Sequence, residues 1–151
     1  MIYVASSWRN DIQPIVVQML RTFGYEVYDF KDEEGFHWSE VAKEVTPGVD
    51  WKDWSFVQYQ LALKHGRAVA GFTRDMKHLD FADAVILVLP CGRSAHLEAG
   101  YAIGKGKPTF CLIPEFEGQE AELMYKMFTF VTNKFDYLAL ELEKYVGKFP
   151  K

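Results

Sequence analysis

Residues 84–89 read Ala-Val-Ile-Leu-Val-Leu, an unbroken apolar run that leaves few folds open to this chain. A strand with one wet face alternates apolar and polar residues, whereas a continuous run belongs to a strand covered on both faces, as in the centre of a parallel sheet. Shorter strand-like runs stand at residues 2–5, 26–30, 109–113 and 128–131, with helix-period stretches between them. That alternation predicts an α/β fold, a flavodoxin-like doubly wound sheet of about five parallel strands with helices on both faces. A single domain over residues 1–151 is expected, long enough to bury a proper core.

The helices have recognisable punctuation. Asp11 and Pro14 suit a helix start, and Ile15, Val16, Met19, Leu20 and Phe23 give its apolar stripe until Gly24. Residues 31–50 are polar, contain Gly35, Pro47 and Gly48, and read as a long loop, a feature that is usually functional or mobile. Helical periodicity runs over 51–64, pauses at His65-Gly66 and continues to about residue 80. Further helices are expected over 94–104, 120–127 and 135–146. Gly100 and Gly104 lower helix propensity by about 1 kcal/mol each relative to alanine and are read as permitting close packing on the sheet. Trp51, Trp54, Phe56 and Tyr59 are read as packing residues, with a dimer surface as one place for that packing, and Met124, Tyr125, Met127 and Phe128 as core or subunit contact.

Several function classes are excluded on composition. Hydrophobic residues make up 49% and aromatics 16%, too many for a disordered chain. A net charge of −4 argues against binding a nucleic-acid polymer, which needs a basic face to release counterions. No apolar run approaches the roughly 20 residues that span a bilayer. Met1 leads directly into a strand pattern, so no signal peptide and a cytoplasmic location are expected. Cys91 and Cys111 lie in apolar segments without metal spacing and read as reduced, buried thiols. His65, His78 and His96 share no helical face with carboxylates at ligand spacing, so neither a metal nor a cofactor is expected.

In such a sheet, ligands sit beyond the carboxyl ends of the strands. The loop after the first strand holds Ser6, Ser7, Trp8, Arg9 and Asn10, polar groups suited to cradling a phosphate. The loop after the second holds Phe36, His37, Trp38 and Ser39, which could close over a base, or else plug the domain's own core. After the third comes Pro90-Cys91-Gly92-Arg93-Ser94, in which Gly92 admits a close ligand and Ser94 is a good helix N-cap. Glu98 follows four residues after Ser94, on the same helical face. There the helix dipole favours the ionised carboxylate that a nucleophile requires. A solvated carboxylate that merely complements the dipole fits the same spacing.

The string Leu89-Pro90 through Glu98-Ala99-Gly100-Tyr101-Ala102, with Gly106-Lys107 after it, resembles the nucleoside 2-deoxyribosyltransferase superfamily, which includes deoxynucleoside 5′-monophosphate N-hydrolases and cytidylate N-glycosidases. Ile2-Tyr3-Val4-Ala5-Ser6-Ser7-Trp8 is similar to its first-strand motif, Arg74-Asp75-Met76 to its Asn-Asp-Leu segment, and Leu123-Met124 to a subunit-contact motif. The resemblance implies Glu98 as the nucleophile on the sugar's anomeric carbon, Asp75 as the group that protonates or holds the departing base, and Tyr3 as a hydroxyl orienting the nucleophile. It further implies a small nucleoside or nucleotide ligand and a homo-oligomer, dimer or larger, with the Glu122 region contributed by a neighbouring subunit. Two departures stand out. Ser94 lies closer to the nucleophile than the hydrolases' phosphate-binding serine, and Glu122 replaces an asparagine, a change that would repel a 5′-phosphate and conflicts with the cradle after the first strand.

The expected activity is therefore cleavage of an N-glycosidic bond, with the sugar passed to water or to another base. A non-catalytic nucleotide-sensing module would keep the fold without turnover, and Glu98→Gln would then bind ligand as wild type does. A nicotinamide-dinucleotide glycohydrolase would release nicotinamide instead.

Overall fold

The computed structural model describes residues 1–32 and 35–147; Glu33 and Glu34, inside the expected 31–50 loop, and residues 148–151 lie outside the described residues. The chain forms two compact units, Met1–Asp29 with His78–Lys151, and Phe30–Lys77.

The first unit carries the sheet. Strands β1 (Ile2–Ala5), β2 (Val27–Tyr28), β3 (Ala84–Val88), β4 (Thr109–Leu112) and β5 (Phe130–Thr132) are all parallel, in the order β2-β1-β3-β4-β5. This is the flavodoxin-like order expected from the sequence. Helices α1 (Ile12–Thr22), α5 (Arg93–Gly104) and α6 (Phe135–Val146) belong to this unit. Because side chains alternate across a strand, Ile2, Val4, Ala84, Ile86, Val88, Phe110 and Leu112 fall on one face, where they form a core with Val16, Val17 and Leu20 of α1 and Leu138 and Leu142 of α6. Tyr3, Ala5, Val85, Leu87, Thr109 and Cys111 point to the opposite face, which α5 covers with Ala95, Ala99 and Ala102.

Two local expectations fail in this unit. The buried stripe of α1 is Gln13, Val16, Val17 and Leu20, while Ile15 is exposed. Gln13 hides this register, because its buried amide is polar in the sequence but donates to Asp29 Oδ1 at 2.8 Å. The segment expected as a helix over 120–127 is a 3-10 turn, Leu123–Met127, capped by Glu122, whose carboxylate accepts from Met124 N at 2.8 Å.

The second unit comprises α2 (Trp38–Val45), a 3-10 turn at Trp51–Asp53, α3 (Phe56–Leu63) and most of α4 (Gly66–Phe81), whose last residues from His78 belong to the first unit. Helix α2 corrects the reading of 31–50 as a loop; only Val41 and Ala42 of it are buried, so its apolar signal is short. A capping box defines the start of α3: Ser55 Oγ accepts from Gln58 N at 3.3 Å, and Gln58 Oε1 from Ser55 N at 2.8 Å. Trp54 packs as expected and donates to Thr46 Oγ1 at 2.6 Å, whereas Phe56 is exposed. No helix among the described residues is long and apolar enough to cross a membrane.

Candidate active site

The strand order creates the site. From the carboxyl end of β1 the chain turns to α1 on one face of the sheet, and from the neighbouring end of β3 it turns to α5 on the other. In sheets of this order, loops that diverge from adjacent strands generally leave a crevice at the switch point. Ser6 and Asn10 follow the carboxyl end of β1. Ser6 Oγ donates to Val88 O at 2.7 Å, and Asn10 Nδ2 lies 3.0 Å from Ser6 Oγ, 3.2 Å from Val88 O and 3.1 Å from Pro90 O. The other end of the Asn10 amide accepts from Ile12 N at 2.8 Å and Gln13 N at 3.2 Å; Asp11 stands at the helix start as expected but makes no side-chain cap bond, and Asn10 beside it supplies one. Asn10 is only 3% exposed. The phosphate cradle expected from Ser6, Ser7, Arg9 and Asn10 therefore shrinks, because the Ser6 and Asn10 donors are engaged inside the fold. Ser7, whose Oγ accepts from Arg9 N at 3.2 Å, remains at the surface with Arg9 and Trp8.

Helix α5 begins one residue earlier than its sequence suggests. Gly92 holds the N-cap position with extended dihedrals and no side-chain cap, which corrects the assignment of that role to Ser94; Ser94 lies inside the first turn, exposed. Glu98 is thereby the sixth helical residue, beyond the first turn where the helix-end field is strong, and the dipole argument for its charge weakens. Its surroundings matter more. Glu98 is half-buried beside the Ala95, Ala99 and Ala102 stripe, and its charge reaches the loop leaving β3. The Cys91 thiol there is pushed up to about 12, first by burial and then by Glu98. Tyr3 is 1% exposed on the sheet face that α5 covers, with its ring stacked on Tyr28 at 5.1 Å; Tyr28 in turn stacks on His78 at 3.9 Å.

In the second unit, Phe36 and Trp38 meet edge to face at 4.7 Å, and Trp38 also meets Trp54 at 5.7 Å and Tyr59 at 6.1 Å. Phe36 lies against Gly71, where an added Cβ would come within 3.1 Å of it. These rings pack against one another within their own unit. His37 is exposed at the N-cap position of α2. Asp75 is partly exposed, with its carboxylate 3.5 Å from Arg74 Nε. No group of three His, Cys, Asp or Glu residues among the described residues could hold a metal.

No protein-family model matches this sequence, and no curated protein does. Among solved structures, a 2-deoxyribosyltransferase from the psychrotolerant bacterium Bacillus psychrosaccharolyticus superposes with a TM-score of 0.55 at 21% identity, covering 91% of this chain and 88% of that one. The two share one fold. That likeness accounts for the five-stranded parallel order, independently of any residue in the site.

Sequence reasoning missed the other flank of α5. His96, Ala99, Gly100 and Ile103 line an open groove of about 510 Å³ whose far wall includes Glu122, Met124, Tyr125 and Phe128. Gly100 and Gly104 do not pack on the sheet as expected: both are exposed, and a Cβ on either would meet nothing within 4 Å. His96 lies 2.9 Å from Gly92 O through Nδ1 and 2.8 Å from the Tyr125 hydroxyl through Nε2. At 100° per residue, Glu98 is turned roughly half a revolution from this groove.

Proposed function

We propose that this protein cleaves the N-glycosidic bond of a (deoxy)nucleoside or nucleoside 5′-monophosphate through Glu98, passing the sugar to water or another base. One observation carries the reading: a half-buried carboxylate beside the β1/β3 switch point, its charge felt by the Cys91 thiol, in a fold shared with a 2-deoxyribosyltransferase. The resemblance of the first-strand and Glu98 segments to that enzyme group supports it from the sequence side.

In this mechanism a Glu98 oxygen attacks C1′ as the C1′–N bond breaks, and the bonding pair leaves with the base. The base takes a proton from the Asp75 carboxyl, a role assigned by sequence resemblance. The resulting glycosyl ester passes through an oxocarbenium-like transition state on formation and on breakdown. Water or a second base then attacks C1′, gives its proton to the Asp75 carboxylate and releases Glu98. Tyr3, through its hydroxyl, holds the nucleophile in line. Hydrolysis and transfer share the first half-reaction, so the acceptor alone separates them.

The test is chromatography of free base from a panel of nucleosides and monophosphates, with and without an acceptor base. Release from at least one substrate, abolished in Glu98→Ala, is the expected result; an inert wild type across the panel, or an undiminished variant, sinks the proposal. Asp75→Asn should slow poor leaving bases most, and equal slowing of activated and ordinary bases would remove Asp75 from the acid role.

A further inference from the structure

We propose that Asn10 is a positioning residue, a buried clamp that fixes the Cys91–Gly92 turn and through it the start of α5. The argument begins with hydrogen-bond capacity. A carboxamide has two N–H donors and one carbonyl acceptor. Asn10 meets three acceptors with its Nδ2, sharing its donors between Ser6 Oγ, Val88 O and Pro90 O, and meets two backbone amides with Oδ1. Asn10 itself is 3% exposed, and while Val88 O also accepts from Ser6 Oγ at 2.7 Å, the bond to Pro90 O is one that Asn10 brings.

The place of these bonds gives them their consequence. Strand pairing beside β1 ends at Ala5–Leu87, so beyond it no ladder bond ties the two diverging loops. The Pro90–Gly92 connection is short, Gly92 contributes no side chain, and α5 lacks a side-chain N-cap. Leu89 N bonds to Leu112 O at 3.0 Å on the β4 side, and His96 holds Gly92 O at 2.9 Å. On the β1 side, Ser6 Oγ and Asn10 Nδ2 both reach Val88 O, and Asn10 extends the tie to Pro90 O. Without it the turn can lean away from β1 and carry α5 with it. On the reading of Glu98 as nucleophile, on which the kinetic part of this inference rests, a displacement of about 1 Å costs on the order of 100-fold in rate.

Asn10→Asp separates the two jobs of the side chain. The isosteric carboxylate keeps an acceptor for Ile12 N and Gln13 N, and replaces the donor facing Val88 O and Pro90 O with a repelling oxygen. Asn10→Ser is the milder companion: serine still caps a helix but is too short to reach Pro90 O. The readout is the rate of iodoacetamide alkylation at Cys91, resolved by peptide mass spectrometry, with fully buried Cys111 on β4 as internal reference. Both variants should alkylate at Cys91 about tenfold faster than wild type while Cys111 stays protected. With a nucleoside substrate, kcat should fall by about 10- to 100-fold with KM within threefold. An unchanged Cys91 rate in folded variants overturns the clamp, as does a joint rise at Cys91 and Cys111, which would report general loosening. A faster Cys91 with unchanged kcat overturns the positioning role. The alkylation result stands even if the wild type proves inert, so failure of the enzymatic reading is distinguishable from failure of the clamp.

Discussion

The two faces of the sheet are built from the same strands by opposite rules. One face is filled with large aliphatic and aromatic side chains, Ile2, Val4, Ile86, Val88, Phe110 and Leu112, against Leu20, Leu138 and Leu142 from two helices. The other mixes Val85 and Leu87 with Tyr3, Tyr28, Thr109 and Cys111, and the buried residues of the helix laid over it are alanines. Interlocked large side chains give stability and tolerate little change. Small side chains let α5 lie close to the sheet, and the charge of Glu98 reaches the Cys91 thiol after β3. Neighbouring residues such as Ile2 and Tyr3 thus serve different ends, separated only by the pleat.

The comparison can be broken at either face. The largest effect should come from Glu98→Gln, which removes the proposed nucleophile while preserving shape: base release should fall by about 10⁴-fold or more with Tm nearly unchanged. A variant that keeps its activity and loses much of its Tm would make the α5 face structural after all. Next, Leu138→Ala on the filled face should cost about 2–5 kcal/mol in urea unfolding, while kcat per folded molecule stays at the wild-type value. Tyr3→Phe keeps the stack on Tyr28 and loses only the hydroxyl. It should slow turnover by about 10- to 100-fold, the worth of a hydrogen bond to a charged group, with a change of at most about 1 kcal/mol in stability.

The smallest effect is alkaline. Burial holds Cys91 and Cys111 up at about 12, from an ordinary value of 9.0. A thiol raised in the folded state keeps its proton while the unfolded chain loses it. The stability this represents is fully present below pH 9 and is lost as pH rises from 9 toward 12. For fully buried Cys111 the loss should reach about 1 kcal/mol by pH 10. Cys111→Ala should flatten the stability profile over that window; an unchanged slope would show that the thiol side of the sheet does not feel its burial.

Some of the molecule was legible in the chain itself. The run at 84–89 announced a central parallel strand, and the first strand and last helix begin and end where periodicity puts them. Glu98 stood out as an acidic residue just inside a helix that leaves a strand end. Features carried by polar residues were not legible. Gln13 disguised the register of α1, and Asn10 looked like a surface ligand because nothing local reveals that its partners are Val88 and Pro90, far along the sequence. Helix α2 was hidden in a stretch whose two buried residues are too few to set a period.

Hydrophobic order along the chain therefore determined the sheet, its parallel sense and the ends at which a ligand can sit, because burial of apolar side chains acts through local period and total area. Only the tertiary structure decided which polar groups remain available for chemistry. Hydrogen bonds between residues distant in sequence draw Ser6 and Asn10 inward and leave Ser7 and Arg9 outside.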